Sequence, residues 1–76
     1  MSSLGRLIRK TRRARDLTQS QVAEMAGVSR SLVAVIETGL GEPSLSTLKK
    51  IAQVLDISMS ELSAALLTDT KQEATP

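Results

Sequence analysis

Signals that start α-helices recur along this chain of 76 residues and leave little room for any other structure. Thr18 and Ser58 each stand three residues before a Gln or a Glu, which is the spacing of a capping box. Ser29 is a further candidate N-cap, and Pro43 followed by Ser44 is typical of a helix start. Together with one helix before Thr18, these starts predict five short helices and no β-sheet.

The apolar residues between these starts repeat with the period of an amphipathic helix. The clearest stripes lie in residues 4–15 and in residues 45–55. Gly27 and Gly39 stand where a left-handed residue would end the second and the third helix. We therefore predict an all-α fold, a compact five-helix bundle.

The bundle is expected to form one domain over residues 1–67. From Thr68 on, the sequence TDTKQEATP is polar and aperiodic. Such a composition provides no apolar face to pack against a core. Residues 68–76 are therefore expected to be a loose polar tail or the beginning of a linker.

The composition argues against several classes of protein. Cysteine, histidine and all three aromatic residue types are absent. Acid–base catalysis near neutral pH relies on histidine, or on a carboxylate or lysine whose pKa is shifted by deep burial, and a domain of this size has little interior. We therefore expect no enzyme, no metal site and no cofactor. Neither a membrane-spanning apolar run nor a signal peptide is present, so a soluble intracellular protein is expected.

The basic residues are concentrated in the first part of the chain. Residues 1–30 contain seven Lys or Arg and two Asp or Glu, whereas residues 31–76 contain three and six. This asymmetry favours a basic surface offered to a polyanion. The alternative is an ordinary solvated face. The first helix carries a basic face opposite its apolar stripe, formed by Arg6, Arg9, Lys10 and Arg13.

Two short helices joined by the sequence AGVS form the arrangement of a helix-turn-helix, whose second helix lies in the major groove of DNA. That spacing alone is a moderate signal, because any helical bundle has short turns. Over residues 4–66, however, the chain resembles the XRE or Cro/C1-type helix-turn-helix family. The matching elements are Leu17-Thr18-Gln19, Ala23, Gly27-Val28-Ser29, Ile36-Glu37, Gly39, Pro43-Ser44-Leu45, Leu48, Ile51, Ala52 and Leu55.

This family includes lambdoid phage repressors, restriction–modification controller proteins and small bacterial regulators. The resemblance implies a lambda-repressor-like DNA-binding domain whose second and third helices form the helix-turn-helix. It also implies a transcriptional regulator of the bacterial cytoplasm or nucleoid, a repressor or controller that binds double-stranded DNA without a cofactor.

The third helix has one face for the core and one for a partner. On a helical wheel Leu32, Val33 and Ile36 point inward, and in the family the opposite face reads base pairs. An arginine there can contact guanine through two hydrogen bonds, and apolar side chains can pack on thymine methyls. An exposed valine is also common without any function. The expected base-contacting residues are Arg30, Ser31, Ala34 and Val35.

Phosphate contacts would fix the position of such a domain on the duplex. Gln19 resembles the family glutamine that bonds a phosphate from the start of the second helix. Ser29 could do the same, or could serve only as a helix cap. The full set expected to contact phosphates is Arg9, Lys10, Arg13, Gln19, Ser29 and Thr38.

Arg12 lies at the edge of the apolar stripe of the first helix. The family resemblance pairs an arginine at this position with the glutamate near the end of the third helix, here Glu37. We expect this pair to be partly buried and to orient the third helix, so its role is structural.

The last helix is more apolar than a monomer of this size needs. Members of the family commonly pair through this region to read palindromic half-sites, so a homodimer on a palindromic operator is expected. The alternative is that these residues only close the bundle. The expected interface residues are Met59, Leu62, Leu66 and Leu67.

The loop GLGEP after the third helix departs from the family pattern. Many relatives carry Lys or Arg there, whereas this loop has no positive charge and contains Glu42. This departure favours the alternative function, a protein-interaction module or antitoxin-like partner with weak or no DNA binding. A third possibility is the N-terminal domain of a longer regulator.

Overall fold

The computed structural model describes residues 2–41 and 43–73 of the chain. Within these residues the structure contains α-helices and no strand. The helices are α1 (Ser3–Ala14), α2 (Gln19–Ala26), α3 (Arg30–Thr38), α4 (Leu45–Leu55) and α5 (Met59–Glu73). The prediction of an all-α fold with five helices is therefore confirmed.

The capping signals around α2 and α3 act as the sequence predicts. The Thr18 hydroxyl accepts a hydrogen bond from the Gln21 N–H at 3.0 Å, and the Gln21 side chain accepts one from the Thr18 N–H at 2.8 Å. Ser29 caps α3 by accepting from the Leu32 N–H at 3.1 Å. Gly27 and Gly39 end the two helices with φ angles of 72° and 77°, in the left-handed region that glycine adopts without strain.

The later helix starts also lie close to their predicted positions. Ser44 caps α4 by accepting from the Thr47 N–H at 3.1 Å, so Pro43 lies just before the helix. Ser58 accepts from the Glu61 N–H at 3.1 Å. The Glu61 carboxylate in turn accepts from the Ser58 hydroxyl at 3.2 Å. Local hydrogen bonds thus fix where both helices begin.

The end of α5 differs from the prediction. A loose tail from Thr68 on is wrong for residues 68–73, which continue the helix, and residues 74–76 lie outside the described part of the chain. The physical reason is a distant contact. The Asp69 carboxylate accepts hydrogen bonds from the backbone N–H groups of Ser3 at 2.8 Å and Leu4 at 3.2 Å. The carboxylate thereby satisfies two free donors at the start of α1 and holds α5 against it.

All five helices contribute to one hydrophobic core. α1 packs on α3, α4 and α5, and α2 packs on α3 and α4. α1 and α3 approach closely because position 5 is glycine, and a Cβ atom there would collide with the backbone carbonyl oxygen of Glu37. The largest fully buried apolar side chains are Ile8, Val22, Val33, Ile36, Ile51, Leu55 and Leu62. This packing fixes α3 with its second face toward solvent.

Candidate nucleic-acid interface

The outward face of α3 carries the residues predicted to contact bases. Arg30, Ser31 and Val35 are exposed, and Ala34 is half-buried. On the inner face Val33 and Ile36 are buried, and Leu32 is partly buried against the core. The apolar run of this helix is therefore divided between its two faces.

The loop after α3 covers one side of Val35. A Cβ atom at Gly41 would lie 2.6 Å from Val35 Cγ1, so only glycine permits this close approach. The Leu40 N–H donates to the Val35 carbonyl at 3.2 Å, and the Leu40 side chain itself is largely exposed. The described residues of this loop carry no charge, and Glu42, whose charge the sequence singles out, lies outside the described residues.

Glu37 and Arg12 form a buried ion pair that joins α3 to α1. Arg12 Nε donates to Glu37 Oε2 at 2.7 Å and Arg12 Nη2 donates to Oε1 at 3.0 Å. Arg12 Nη1 also donates to the Leu17 carbonyl at 2.8 Å, which ties in the turn before α2. The hydrogen bond and the negative charge of Glu37 raise the pKa of Arg12 against the opposing effect of burial. The guanidinium is therefore a fixed positive charge.

The Glu37 carboxylate also contacts two residues that the sequence analysis predicts to bind DNA phosphates. Gln19 Nε2 donates to Glu37 Oε1 at 3.3 Å, and Arg9 Nε lies 3.5 Å from that oxygen. Arg9 Nε is buried and makes no hydrogen bond to any residue the structure describes. Glu37 is only 1% exposed, so it contacts Arg9 and Gln19 from the buried side of the surface on which they lie. Sequence reasoning missed this link, because it depends on how α1, α2 and α3 meet.

A basic groove of about 600 Å³ lies above this cluster. It is formed by the end of α1, the turn after it, and the starts of α2 and α3. Four of the described residues that line it are arginines and one is a carboxylate, so positive charge is in excess in the groove even with Glu37 paired to Arg12 beneath it. The residues that line the basic groove are Arg9, Arg12, Arg13, Asp16, Leu17, Thr18, Gln19, Ser20 and Arg30.

The groove brings together residues from two predicted groups. Arg9, Arg13 and Gln19 come from the phosphate set, and Arg30 comes from the base-contacting set. Lys10 does not line it; this lysine is exposed on the outer face of α1 beside Arg6, Arg9 and Arg13. The basic groove is thus continuous with both the outward face of α3 and the basic face of α1.

The two hydroxyl groups of the phosphate set already have local partners. Ser29 accepts from Leu32 as the cap of α3, but its own O–H remains able to donate. The Thr38 hydroxyl donates to the Val35 carbonyl at 3.0 Å. Donation from Thr38 to a phosphate would require that bond to break.

The predicted dimer interface needs one correction. Leu62 is 1% exposed and lies in the core of the bundle, so it has no surface to offer a second copy. Leu66 is partly buried and packs against that core. Met59 is 50% exposed and Leu67 is 68% exposed. The predicted interface residues thus lie on different faces of α5, some in the core and some at the surface.

Comparison with known proteins places the sequence of this chain in a family. A sequence model described as helix-turn-helix matches residues 8–62, which include α2, α3 and α4 in full. The chain therefore belongs to the helix-turn-helix family, and the resemblance predicted from the sequence is confirmed. Within the described residues, no helix is both long and apolar enough to cross a lipid bilayer.

Similar proteins are regulators from bacteria and phages. The chain is 42% identical over 66 residues to the uncharacterized HTH-type transcriptional regulator RghRB of Bacillus subtilis, covering 86% of this chain and 48% of that protein. It is 45% identical over 60 residues to the immunity repressor protein of Bacillus phage phi105, covering 79% and 42%. It is also 40% identical over 62 residues to the cryptic phage CTXphi transcriptional repressor RstR of Vibrio cholerae, covering 82% and 55%.

The chain spans about half the length of these relatives. No solved structure gives a significant match to the chain.

Proposed function

We propose that this protein is a sequence-specific regulator of transcription that binds double-stranded DNA and acts in the bacterial cytoplasm. The observation that carries the proposal is the basic groove, which runs directly into the outward face of α3. A positive groove suits a phosphate backbone, and an adjoining exposed helix suits the major groove. Relatives named as an immunity repressor and as a transcriptional repressor support the same function.

In this proposal α3 reads the bases. Arg30 is exposed at the first position of α3, where its guanidinium can donate to O6 and N7 of one guanine. Ser31 can donate or accept at several base edges. Ala34 and the exposed side of Val35 offer only methyl groups, which fit a thymine methyl in the major groove. Sequence preference therefore rests on these four side chains.

The phosphate backbone lies in the basic groove. Gln19 and the free N–H groups at the start of α2 donate to one phosphate, and Arg9 and Arg13 neutralise it. Lys10 and Ser29 supply weaker contacts at the edges, and Thr38 contributes least because its O–H is already used. The Arg12–Glu37 pair does not touch DNA but holds Arg9 and Gln19 in place.

The protein binds a palindromic operator as a homodimer in this proposal. Met59 and Leu67 are exposed apolar residues of α5, with Leu66 partly buried between them and the core. An exposed apolar surface of this kind favours a second copy, and a two-fold dimer matches a palindromic site. The half-sites would then lie about 34 Å apart, one turn of the duplex.

A salt titration tests the proposal. Duplexes are first selected from a random pool, and the Kd of the selected and of a random duplex is then measured at several salt concentrations. A regulator of this kind prefers the selected duplex, and its log K falls linearly with log salt as phosphate contacts release counterions. A protein that shows neither a preferred duplex nor a salt dependence does not have this function.

One observation favours a second candidate function. The described part of the loop after α3 carries no cation and exposes Leu40, which suits a protein partner better than a phosphate. A protein-interaction module or antitoxin-like partner would show little DNA affinity in the same titration. The basic groove argues for DNA as the first candidate.

A further inference from the structure

Asp16 places a negative charge in the groove that we assign to a phosphate. Among the described residues that line this groove it is the only carboxylate, and it shares the groove with Arg9, Arg13 and Arg30. Glu37 lies beneath them, but it is buried and bonded to Arg12. Asp16 is exposed, and no ion pair within 4.0 Å joins it to a residue that the structure describes. Its charge is therefore free to act on whatever enters the groove.

The fold does not require a carboxylate at this position. Asp16 has a φ angle of 56°, which lies in the left-handed region and lets the chain turn between α1 and α2. Asparagine and glycine adopt this conformation as readily as aspartate does. The Asp16 N–H donates to the Arg13 carbonyl at 3.0 Å, a backbone contact that any such residue keeps. The turn explains the backbone shape and leaves the charge unexplained.

A carboxylate and a phosphate would use the same positive potential. The arginines of the groove and the free N–H groups of α2 attract either anion. Within one groove the two anions lie close enough for their repulsion to survive at moderate salt, where screening acts over about 10 Å. An anion of the protein in this place must lower the affinity for an anion of the ligand.

The geometry points to Asp16 as an internal competitor for the DNA phosphate that the basic groove would hold. This inference rests on the function proposed above. Asp16 sets the affinity below the value that the arginines alone would give, and it does so equally for every sequence, because phosphates carry no base information. Release from DNA is correspondingly faster, which suits a repressor that has to leave its operator.

The chain offers a matched control for the charge of Asp16. Asp56 also has a φ angle of 56° and is the C-cap of α4, whereas Asp16 is one residue beyond the C-cap of α1. Its side chain is 90% exposed and lies outside the residues that line the groove. Asp16→Asn and Asp56→Asn therefore make the same chemical change in the same backbone conformation. Asp56→Asn also removes the ion-pair partner of Arg15, which lies 3.7 Å from Asp56. This variant therefore measures how far the affinity changes when the chain loses one negative charge outside the groove.

The experiment measures the Kd of the full chain and both variants for the selected and the random duplex. At about 0.1 M salt, Asp16→Asn should raise the affinity for both duplexes about three- to tenfold, and Asp56→Asn should change it less than about twofold. The gain should shrink toward 1 M salt, where the screening length is about 3 Å. Thermal unfolding of each variant checks the fold, and Asp16→Gly replaces Asp16→Asn if the asparagine variant is unstable.

Two results would overturn the inference. Equal gains for Asp16→Asn and Asp56→Asn would assign the effect to net charge alone. A change in the preferred sequence with Asp16→Asn would make Asp16 a base-reading residue. Failure of the unsubstituted chain to bind either duplex would instead refute the proposed function, and this result is separate from the comparison of variants.

Discussion

Glu37 is the residue on which the candidate interface depends most. Its buried carboxylate receives Arg12 through two hydrogen bonds and also contacts Arg9 and Gln19. A buried ion pair contributes little net stability, but removal of one partner strands the other charge away from water. Loss of Glu37 should therefore destabilise the fold and release the two groove residues together.

The variant Glu37→Gln tests this dependence. It keeps the shape of the side chain but leaves the buried Arg12 without its counter-charge, so the free energy of unfolding should fall by about 3 kcal/mol. Urea unfolding measures the change, and Glu24→Gln on the exposed side of α2 is the control, with an expected change under about 0.5 kcal/mol. Equal effects of the two variants would contradict the structural role of Glu37.

The pH dependence of the stability that this pair contributes follows from the direction in which the pKa of Arg12 is shifted. Pairing raises the Arg12 pKa above its ordinary value, which is already high. A group whose pKa is higher in the folded state than in the unfolded state stabilises the fold fully at any pH below its pKa in the unfolded state. This stability is lost only as the pH rises through its pKa in the folded state. The contribution of Arg12 should therefore stay constant across neutral pH and disappear only in strong alkali.

Variants of Arg30 and Arg13 test whether base reading and phosphate binding belong to different residues. Both line the basic groove, but Arg30 begins α3 and Arg13 lies near the end of α1. Arg30→Ala should cost about 1–3 kcal/mol of discrimination and relax the preference at one base position. Arg13→Ala should weaken all duplexes alike and reduce the salt slope by about one. Selection from random duplexes with each variant measures the difference. An unchanged preferred sequence for Arg30→Ala would refute the assigned reading face.

At the scale of single residues, the sequence predicted the pairing of Arg12 with Glu37. It did not predict that other residues contact the same carboxylate. The position of Arg12 beside the apolar stripe and the family resemblance pointed to its pairing with Glu37. The contact of Arg9 with the same carboxylate depends on the close approach of α1 to α3 at Gly5, and the contact of Gln19 depends on the packing of α2 on α3. A glycine inside a helix gives no sequence signal of which backbone it will touch.

At the scale of helices, the sequence predicted the helix starts that local hydrogen bonds fix. It did not predict the end of α5, which involves a contact with a residue far away along the chain. The starts of α2, α3 and α4 lie at the predicted caps, because each cap is bonded to a residue three positions on. The extension of α5 depends instead on Asp69, whose partners Ser3 and Leu4 are 66 and 65 residues away along the chain. No local pattern marks such a contact.

Asp69→Ala tests whether this contact holds the end of α5 on α1. The variant removes the acceptor of two backbone N–H groups at the start of α1, so the free energy of unfolding should fall by about 1–2 kcal/mol. Hydrogen exchange of the Ser3 and Leu4 amides should accelerate more than that of amides in α3. Ser63→Ala, at an exposed site on α5, is the control and should leave both measurements unchanged. Unchanged exchange at Ser3 and Leu4 in Asp69→Ala would exclude this role.

At the scale of the whole molecule, the two ends of the interface have different electrostatics. The groove and α1 together carry Arg6, Arg9, Lys10, Arg12, Arg13 and Arg30, while the described part of the loop after α3 carries no positive charge. Under the proposed function, the charged phosphate contacts would therefore lie on one side of α3. A single copy bound in this way would be held moderately, and a second copy would double the number of phosphate contacts. This asymmetry is a physical reason to expect that tight binding requires a dimer.

The double variant Met59→Ser with Leu67→Ser tests the proposed dimer. Both side chains are exposed, so each substitution should change the stability of the folded monomer by less than about 0.5 kcal/mol. Sedimentation equilibrium should show a weaker dimer, and the affinity should fall for a duplex with two half-sites but not for one with a single half-site. Leu62→Ala is the contrasting variant, because its side chain is in the core and its loss should cost about 2–5 kcal/mol of stability. If the double variant still dimerises and binds both duplexes as the original chain does, α5 is not the interface, and the second copy must contact another face of the molecule.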